Sequence, residues 1–348
     1  MNIIDTRHNP ANEIAKYPFF DDLEHVEGKD PKTVRQYVAA LHEFEVATRF
    51  RCFTGYNKES AKVFKHHLDN KKNKQTGEHI SESLYVHYLA HVKRFFEWLL
   101  ANDKNYKKLK KKDIDYLNAQ TNRKNKAKAA GHRESHDVSD LLATIRNMPD
   151  KTIIERRNKA MFSLCLLTAP RISALQTAQI KSIIYMKDYD AWAFLQNPKD
   201  QNTKFSKKIT AFFVGNCQDI IDNVLNWLEF LENEGFEAKD AFFPKCKTSF
   251  DAAGKPIYTL TKNPIKSQTI IRKALAEACA NNNLPYHTPH TFRHSIAREA
   301  KKQDNSTELL IALAQNFGEK TGMATLVASY AGDYLDEQAR LMKSIALK

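Results

Sequence analysis

The sequence predicts a mainly α-helical chain with a small β-sheet, built as an N-terminal helical bundle followed by a mixed α/β domain. Three observations carry this expectation. At 348 residues the chain exceeds what one ordinary core organises, so two domains are expected. Only 10 glycines interrupt it, and apolar residues recur at helical spacing along most of its length. One stretch, residues 182–214, instead carries short apolar runs separated by turn residues, as strands do.

Taken in order, residues 1–24 read as a polar lead-in. Asp30 and Pro31 make a cap and first helical position, and Val34, Tyr37, Val38, Leu41 and Phe44 follow on one face. A shorter helix from Lys58 to Leu68 carries Ala61, Phe64 and Leu68, and a third begins near Ser81 with Leu84, Tyr88, Val92, Phe95, Phe96 and Leu99. Together these close a small bundle over residues 25–103. Residues 104–130 change character, with Lys104, Lys107, Lys108, Lys110, Lys111, Lys112, Arg123, Lys124, Lys126 and Lys128 facing only Asp113 and Asp115. This reads as a basic linker, either a solvated charge run or a tether lying along a phosphate backbone.

The second domain, residues 131–348, opens with a helix through Val138, Leu141, Leu142 and Ile145, then a strongly apolar helical run from Ala160 to Leu167. Strands are expected over Ser182 to Met186 and Ala191 to Gln196, flanking the turn-forming KDYD, with a third over Lys208 to Val214. Helices resume at 217–235, 266–280, 290–302, 306–316 and 323–330.

Lys and Arg outnumber Asp and Glu by 54 to 41, a net charge of +13, which makes a polyanion the first partner to consider. Charge alone fits ribosomal, membrane-surface and DNA-binding proteins equally. The cysteines, Cys52, Cys165, Cys217, Cys246 and Cys279, are odd in number and lack any CxxC pair, so neither a disulfide framework nor a zinc knuckle is indicated. The N-terminus lacks a signal-peptide layout, and no stretch approaches the roughly 18 apolar residues of a membrane span. A cytoplasmic protein with no membrane partner is the expectation.

Three constellations bear chemistry. In LLTAPRISAL, residues 166–175, Arg171 stands between a buried helix and the next, where a guanidinium needs its donors met; a structural salt bridge would serve as well as an anion site. In HTPHTFRHS, residues 287–295, His290 and Arg293 are three apart and share a helix face, able to converge on one anion. His287, His290 and His294 also read as metal ligands, but without HExxH or a further ligand at diagnostic spacing the expected metal and cofactor content is none. In LAQNFGEKTGMATLVASYAGDY, residues 313–334, Tyr330 lies on a helical segment, a place where tyrosine is usually half-buried packing.

No one of these motifs decides, but their order does. An Arg box, a lysine-bearing β-hairpin, an HxxRH box and a tyrosine near the C-terminus resemble the tyrosine recombinase (phage integrase) family over roughly residues 30–340. The resemblance implies a site-specific recombinase: a helical DNA-binding domain over 25–103 and a mixed α/β tyrosine-recombinase catalytic domain over 131–348. It makes Arg171 and Arg293 the two arginines, His290 the box histidine and Tyr330 the nucleophile. Of Lys199, Lys204, Lys207 and Lys208 in the hairpin, spacing favours Lys204 as the catalytic lysine. Implied partners are double-stranded DNA bearing a specific recombination site and a homotetramer on that DNA, with room for accessory proteins.

Three departures stand out. Ala169 replaces the family's usual Gly two before the arginine, Ala174 its acidic residue three after, and Glu319 its third-box His or Trp. A carboxylate beside the phosphate repels it unless protonated or turned aside, so Glu319 has another task or weakens cleavage. Two rival readings follow: a catalytically silent relative that binds DNA as a regulator or architectural factor, and a type IB topoisomerase-like enzyme, which shares the chemistry but needs no partner duplex.

Overall fold

The computed structural model describes residues 8–74, 76–129, 136–201, 207–303, 306–318 and 335–345. The chain divides into two compact units, within residues 1–133 and 134–348, and each closes around an apolar cluster of its own.

In the first unit, α1 (Pro10–Asp21) occupies the segment read as a polar lead-in, which is a correction. Its Ala15 and Phe19 are buried, and the polarity that suggested solvent is internal. Asn12 donates to Glu45 Oε1 at 3.0 Å and accepts the Phe53 amide at 2.9 Å, while Lys16 Nζ meets Glu45 Oε2 at 2.7 Å. Buried polar groups so paired avoid the cost of desolvation without partners.

Helix α2 (Pro31–Ala47) starts where Asp30 accepts the Lys32 amide at 2.7 Å. It buries Val34, Tyr37, Ala40, Leu41 and Phe44, whereas Val38 faces out. Helix α3 (Lys58–Asn70) buries Ala61, Phe64 and Leu68. In α4 (Glu82–Asn102) the inward face runs Tyr85, Leu89, Val92, Phe95, Phe96 and Leu99, so Leu84 lies one position off it. Phe44, Phe53, Tyr56, Phe64, Phe95 and Phe96 form the aromatic centre, with Tyr56 stacked on Phe96 at 4.0 Å.

The expected basic linker is likewise corrected. Residues 104–129 contain the short α5 (Lys111–Ile114) and α6 (Thr121–Ala129), and Tyr106, Leu109, Ile114 and Leu117 join the bundle's core. Tyr56 Oη donates to the Asp113 carbonyl at 3.0 Å, and the Arg123 guanidinium lies over the Tyr85 ring at 4.1 Å. The buried apolar side chains recur only three to five residues apart, which the density of lysines between them conceals; Lys107, Lys108, Lys110 and Lys112 remain on the surface.

The second unit is organised around α8 (Ile153–Thr168), whose residues from Ala160 onward are all buried. Helices α7 (Val138–Arg146) and α10 (Gln218–Asn233) pack against it. The antiparallel sheet runs β1 (Ile183–Met186), β2 (Ala191–Gln196), β3 (Ile209–Phe212), close to the strands expected from the sequence. A second hairpin, β4 (Pro244–Phe250) with β5 (Pro256–Pro264), was not foreseen. Helices α11 (Gln268–Ala280), α12 (Thr291–Gln303) and α13 (Thr307–Asn316) follow, and α14 (Leu335–Ser344) packs on α13 and β3.

Candidate active site

Helix α8 ends at Ala169, whose backbone is left-handed at φ 43° and ψ 51°. The chain then turns through Pro170 and sets Arg171 at the start of the short α9 (Ile172–Gln176). Proline cannot continue the helix, so the turn follows from the sequence. Arg171 is half-buried here.

From α12 comes Arg293, 5% exposed, whose Nε donates to the Ala169 carbonyl at 2.8 Å. Its guanidinium carbon lies 5.4 Å from the centre of the Phe317 ring. Arginine keeps its charge even when buried, and this bond satisfies one donor while fixing the plane of the fork. The two arginine boxes, 124 residues apart at this contact, are thereby joined at the backbone two residues before Arg171.

Helix α12 is itself held down. Ser295 Oγ donates to the His136 carbonyl at 2.6 Å, and Arg298 reaches the same oxygen at 2.7 Å and Asp137 at 2.9 Å. His290 stands exposed just before α12 on the same face as His294, their rings 5.5 Å apart. His287 leaves that pair and lies against His136 at 4.5 Å between ring centres. Burial, and to a lesser degree His287, push the His136 imidazole below its ordinary range.

The NFG of the third motif, whose Phe317 lies against Arg293, has a structural task that sequence reading did not assign. Asn316, fully buried, accepts the Phe212 amide at 2.8 Å and donates to the Phe212 carbonyl at 3.0 Å, pairing with β3 as another strand would. Gln338 of α14 bonds both Asn316 Oδ1, at 2.8 Å, and the Thr210 carbonyl, at 3.1 Å. Gly318 takes φ +63°, and a Cβ there would meet the Ile209 side chain at 2.3 Å, so only glycine fits. These contacts anchor both flanks of residues 319–334.

Tyr330, Glu319 and the expected helix at 323–330 lie outside the described residues, as does Lys204. Lys199, Lys207 and Lys208, on either side of Lys204 between β2 and β3, are exposed. Among the described residues no group of three His, Cys, Asp or Glu side chains is gathered for a metal, and no helix is long and apolar enough to cross a membrane. Arg157 was also missed: buried in α8, it donates to the Pro244 carbonyl at 2.8 Å and ties β4 to the core. Its signal in the sequence is only a cation within a helix that is otherwise apolar on that face.

The fold is similar to that of several solved structures. A XerH site-specific recombinase in a post-cleavage complex with a palindromic difH substrate superposes with a TM-score of 0.58 at 15% identity, covering 88% of this chain and 79% of that one. A lambda integrase dimer on a COC' core site gives 0.55 at 12% identity, with 92% and 95% covered. A lambda integrase tetramer on a Holliday junction gives 0.55 at 12%, with 92% and 83% covered. At such identities the likeness is one of fold. No curated protein matches by sequence. The family model described as "Phage integrase family" matches residues 132–310, just over half of the chain and inclusive of Arg171, His290 and Arg293. The chain belongs to the phage integrase family, the tyrosine recombinases that cleave and rejoin DNA.

Proposed function

We propose that the chain recombines DNA at a defined site, with Tyr330 as nucleophile and Arg171, Arg293, His290 and Lys204 around the scissile phosphate. The observation that carries this is the 2.8 Å bond from Arg293 Nε to the Ala169 carbonyl, which gathers the two arginine boxes into one locus. A phosphodiester is anionic, and attack on it gathers further charge on the non-bridging oxygens. Two planar guanidinium forks donate paired hydrogen bonds to those oxygens, and removing such a preorganised donor costs on the order of a hundredfold in rate.

The step balances without an external energy source. Tyr330 Oη forms a bond to phosphorus at the 3' side, the bond to the 5' oxygen breaks, and the phenolic proton passes to His290. Lys204 gives a proton to the departing 5' oxygen. A free phenol titrates at about pH 10, and the neighbouring arginines favour the phenolate. The phosphotyrosyl link preserves one phosphoester for another, so a 5' hydroxyl from a second duplex displaces the tyrosine and completes exchange. Glu319 occupies the third-box position, where a carboxylate either weakens cleavage or has a task of its own.

The first unit, with residues 25–103 at its centre and Lys107, Lys108, Lys110 and Lys112 of the basic segment 104–130 on its surface, is the DNA-binding domain in this reading, and residues 131–348 the catalytic one. Lambda integrase appears as dimers and as a tetramer on DNA in the solved structures, which supports an oligomer here, a homotetramer holding two duplexes with accessory proteins setting direction.

The test expresses the wild type and Tyr330→Phe beside the chain's native flanking DNA, denatures the mixture and recovers DNA attached to protein. An adduct from the wild type alone is expected, with Arg171→Ala reducing it at least a hundredfold. An undiminished adduct in Tyr330→Phe would falsify the nucleophile assignment. Specific binding without any adduct would identify a silent DNA-binding relative.

A further inference from the structure

The hairpin of β4 and β5 leaves the second unit at a fixed base. Arg157 holds the Pro244 carbonyl, the Ala241 amide meets the Lys262 carbonyl at 3.2 Å, and the Ile265 amide meets the Phe243 carbonyl at 3.3 Å. Near the base, Leu260 packs on the core, partly buried. Beyond it both faces are exposed: Thr248, Ser249, Phe250, Pro256, Ile257 and Thr259 all reach solvent, Phe250 at 69% exposure. A two-stranded ribbon is marginal in water unless something covers it.

The chemistry of the ribbon is one-sided. The pairings Lys247 with Thr259 and Ser249 with Ile257 place these four on one face. Lys245 sits in the bulge below that face and Lys255 in the turn beyond it. From Pro244 to Lys266 there are five lysines, Lys245, Lys247, Lys255, Lys262 and Lys266, and a single carboxylate, Asp251. That carboxylate, itself exposed, accepts the amides of Ala253 and Lys255 at 2.8 Å each within the turn. Lys262 is paired with Asp240 at 3.0 Å, whereas Lys245, Lys247 and Lys255 meet no carboxylate among the described residues.

Donors without acceptors, along a ribbon about 20 Å long, match a row of phosphates. We propose that this hairpin is a DNA-backbone contact of the recombinase, with Lys245, Lys247 and Lys255 on phosphates and the Ser249 and Thr259 hydroxyls between them. It rests on the reading above that duplex DNA is the substrate. These contacts lie outside the catalytic constellation and carry no base sequence, so they set affinity and its salt dependence.

The experiment replaces Lys245, Lys247 and Lys255 by glutamine in Tyr330→Phe protein and titrates a long mixed-sequence duplex over a range of salt. All three lysines are exposed, so the melting temperature should hold. The slope of log affinity against log salt should fall by about 0.9 per lost contact, hence by about 2 to 3 for the triple variant. A slope equal to that of the Tyr330→Phe parent overturns the hairpin assignment and leaves the recombinase reading intact. Absence of salt-dependent binding by the parent itself overturns both. An unchanged slope together with self-association that Phe250→Ser dissolves would make the ribbon a contact between copies of the chain, and would likewise overturn the proposal.

Discussion

Ala169 carries two duties that oppose each other: its backbone is left-handed, at φ 43°, and its carbonyl is the acceptor that orients Arg293. An L-residue other than glycine pays about 1–2 kcal/mol for that conformation. Ala169→Gly would relieve it, but forfeits a buried methyl, about 0.8 kcal/mol, and adds unfolded-state freedom, about 0.5–1 kcal/mol. The terms nearly cancel, so Ala169→Gly should melt within a few degrees of the wild type and cleave as well. Ala169→Val is different, because a branched Cβ is a true outlier in this region. It should cost about 1–3 kcal/mol and, by moving the carbonyl, lower cleavage at least tenfold with DNA affinity kept. Equal activity in both variants would show that Arg293 does not depend on this carbonyl. The departure from glycine is legible in the sequence, and so are Arg171, His290 and Arg293 as a set. That a main-chain oxygen orients Arg293 is not legible, because a backbone acceptor leaves no trace in side-chain type.

Helices α2 and α3 are joined by a polar clasp whose strength depends on pH. Glu43 accepts from His67 at 2.9 Å and from Lys71 at 2.6 Å. Burial pushes the Glu43 carboxyl up, but the bonds from His67 and Lys71 outweigh it and hold the group down to about 2, from an ordinary 4.5. A carboxylate depressed on folding stabilises fully above its unfolded value and loses that contribution as pH falls through the folded one. Glu43→Gln should therefore be less stable by on the order of 1–2 kcal/mol near neutrality, after allowance for solvent screening. The gap in urea midpoints should narrow steadily from about pH 5 towards about pH 3. A gap that stays constant over this range would assign the loss to packing. Elements were legible where periodicity was undisturbed: β2 spans the residues its apolar run marks, and α2 begins at its Asp-Pro signal. They were obscured where burial is polar, as for Asn12 and Lys16 in α1, or where lysines crowd a sparse apolar face, as from Tyr106 to Leu117. The β4 and β5 ribbon escaped notice because it is mostly exposed, with burial beyond its base no more than partial, as at Cys246, Tyr258 and Leu260, which leaves too weak an alternation to read.

Two apolar clusters, with no residue in common, divide the molecule at about residue 133, and the family match begins at residue 132. Leu89, Phe95 and Phe96 belong to the first cluster, Phe162, Leu166 and Phe194 to the second, and all six are fully buried. Each cluster is large enough to give its unit a cooperative transition of its own, since domains of this size usually unfold as single steps. Thermal unfolding of the whole chain should then resolve into two transitions. Leu89→Ala removes a buried side chain at a cost of about 2–5 kcal/mol, and should lower one transition by roughly ten degrees or more while leaving the other in place. Phe162→Ala, at about 3–5 kcal/mol, should do the reverse. If either substitution moved both transitions together, the two cores would be one folding unit. Independent movement would mean that a lesion in the first unit weakens DNA binding while the arginine locus of the second stays folded, so binding and cleavage would be separable by mutation.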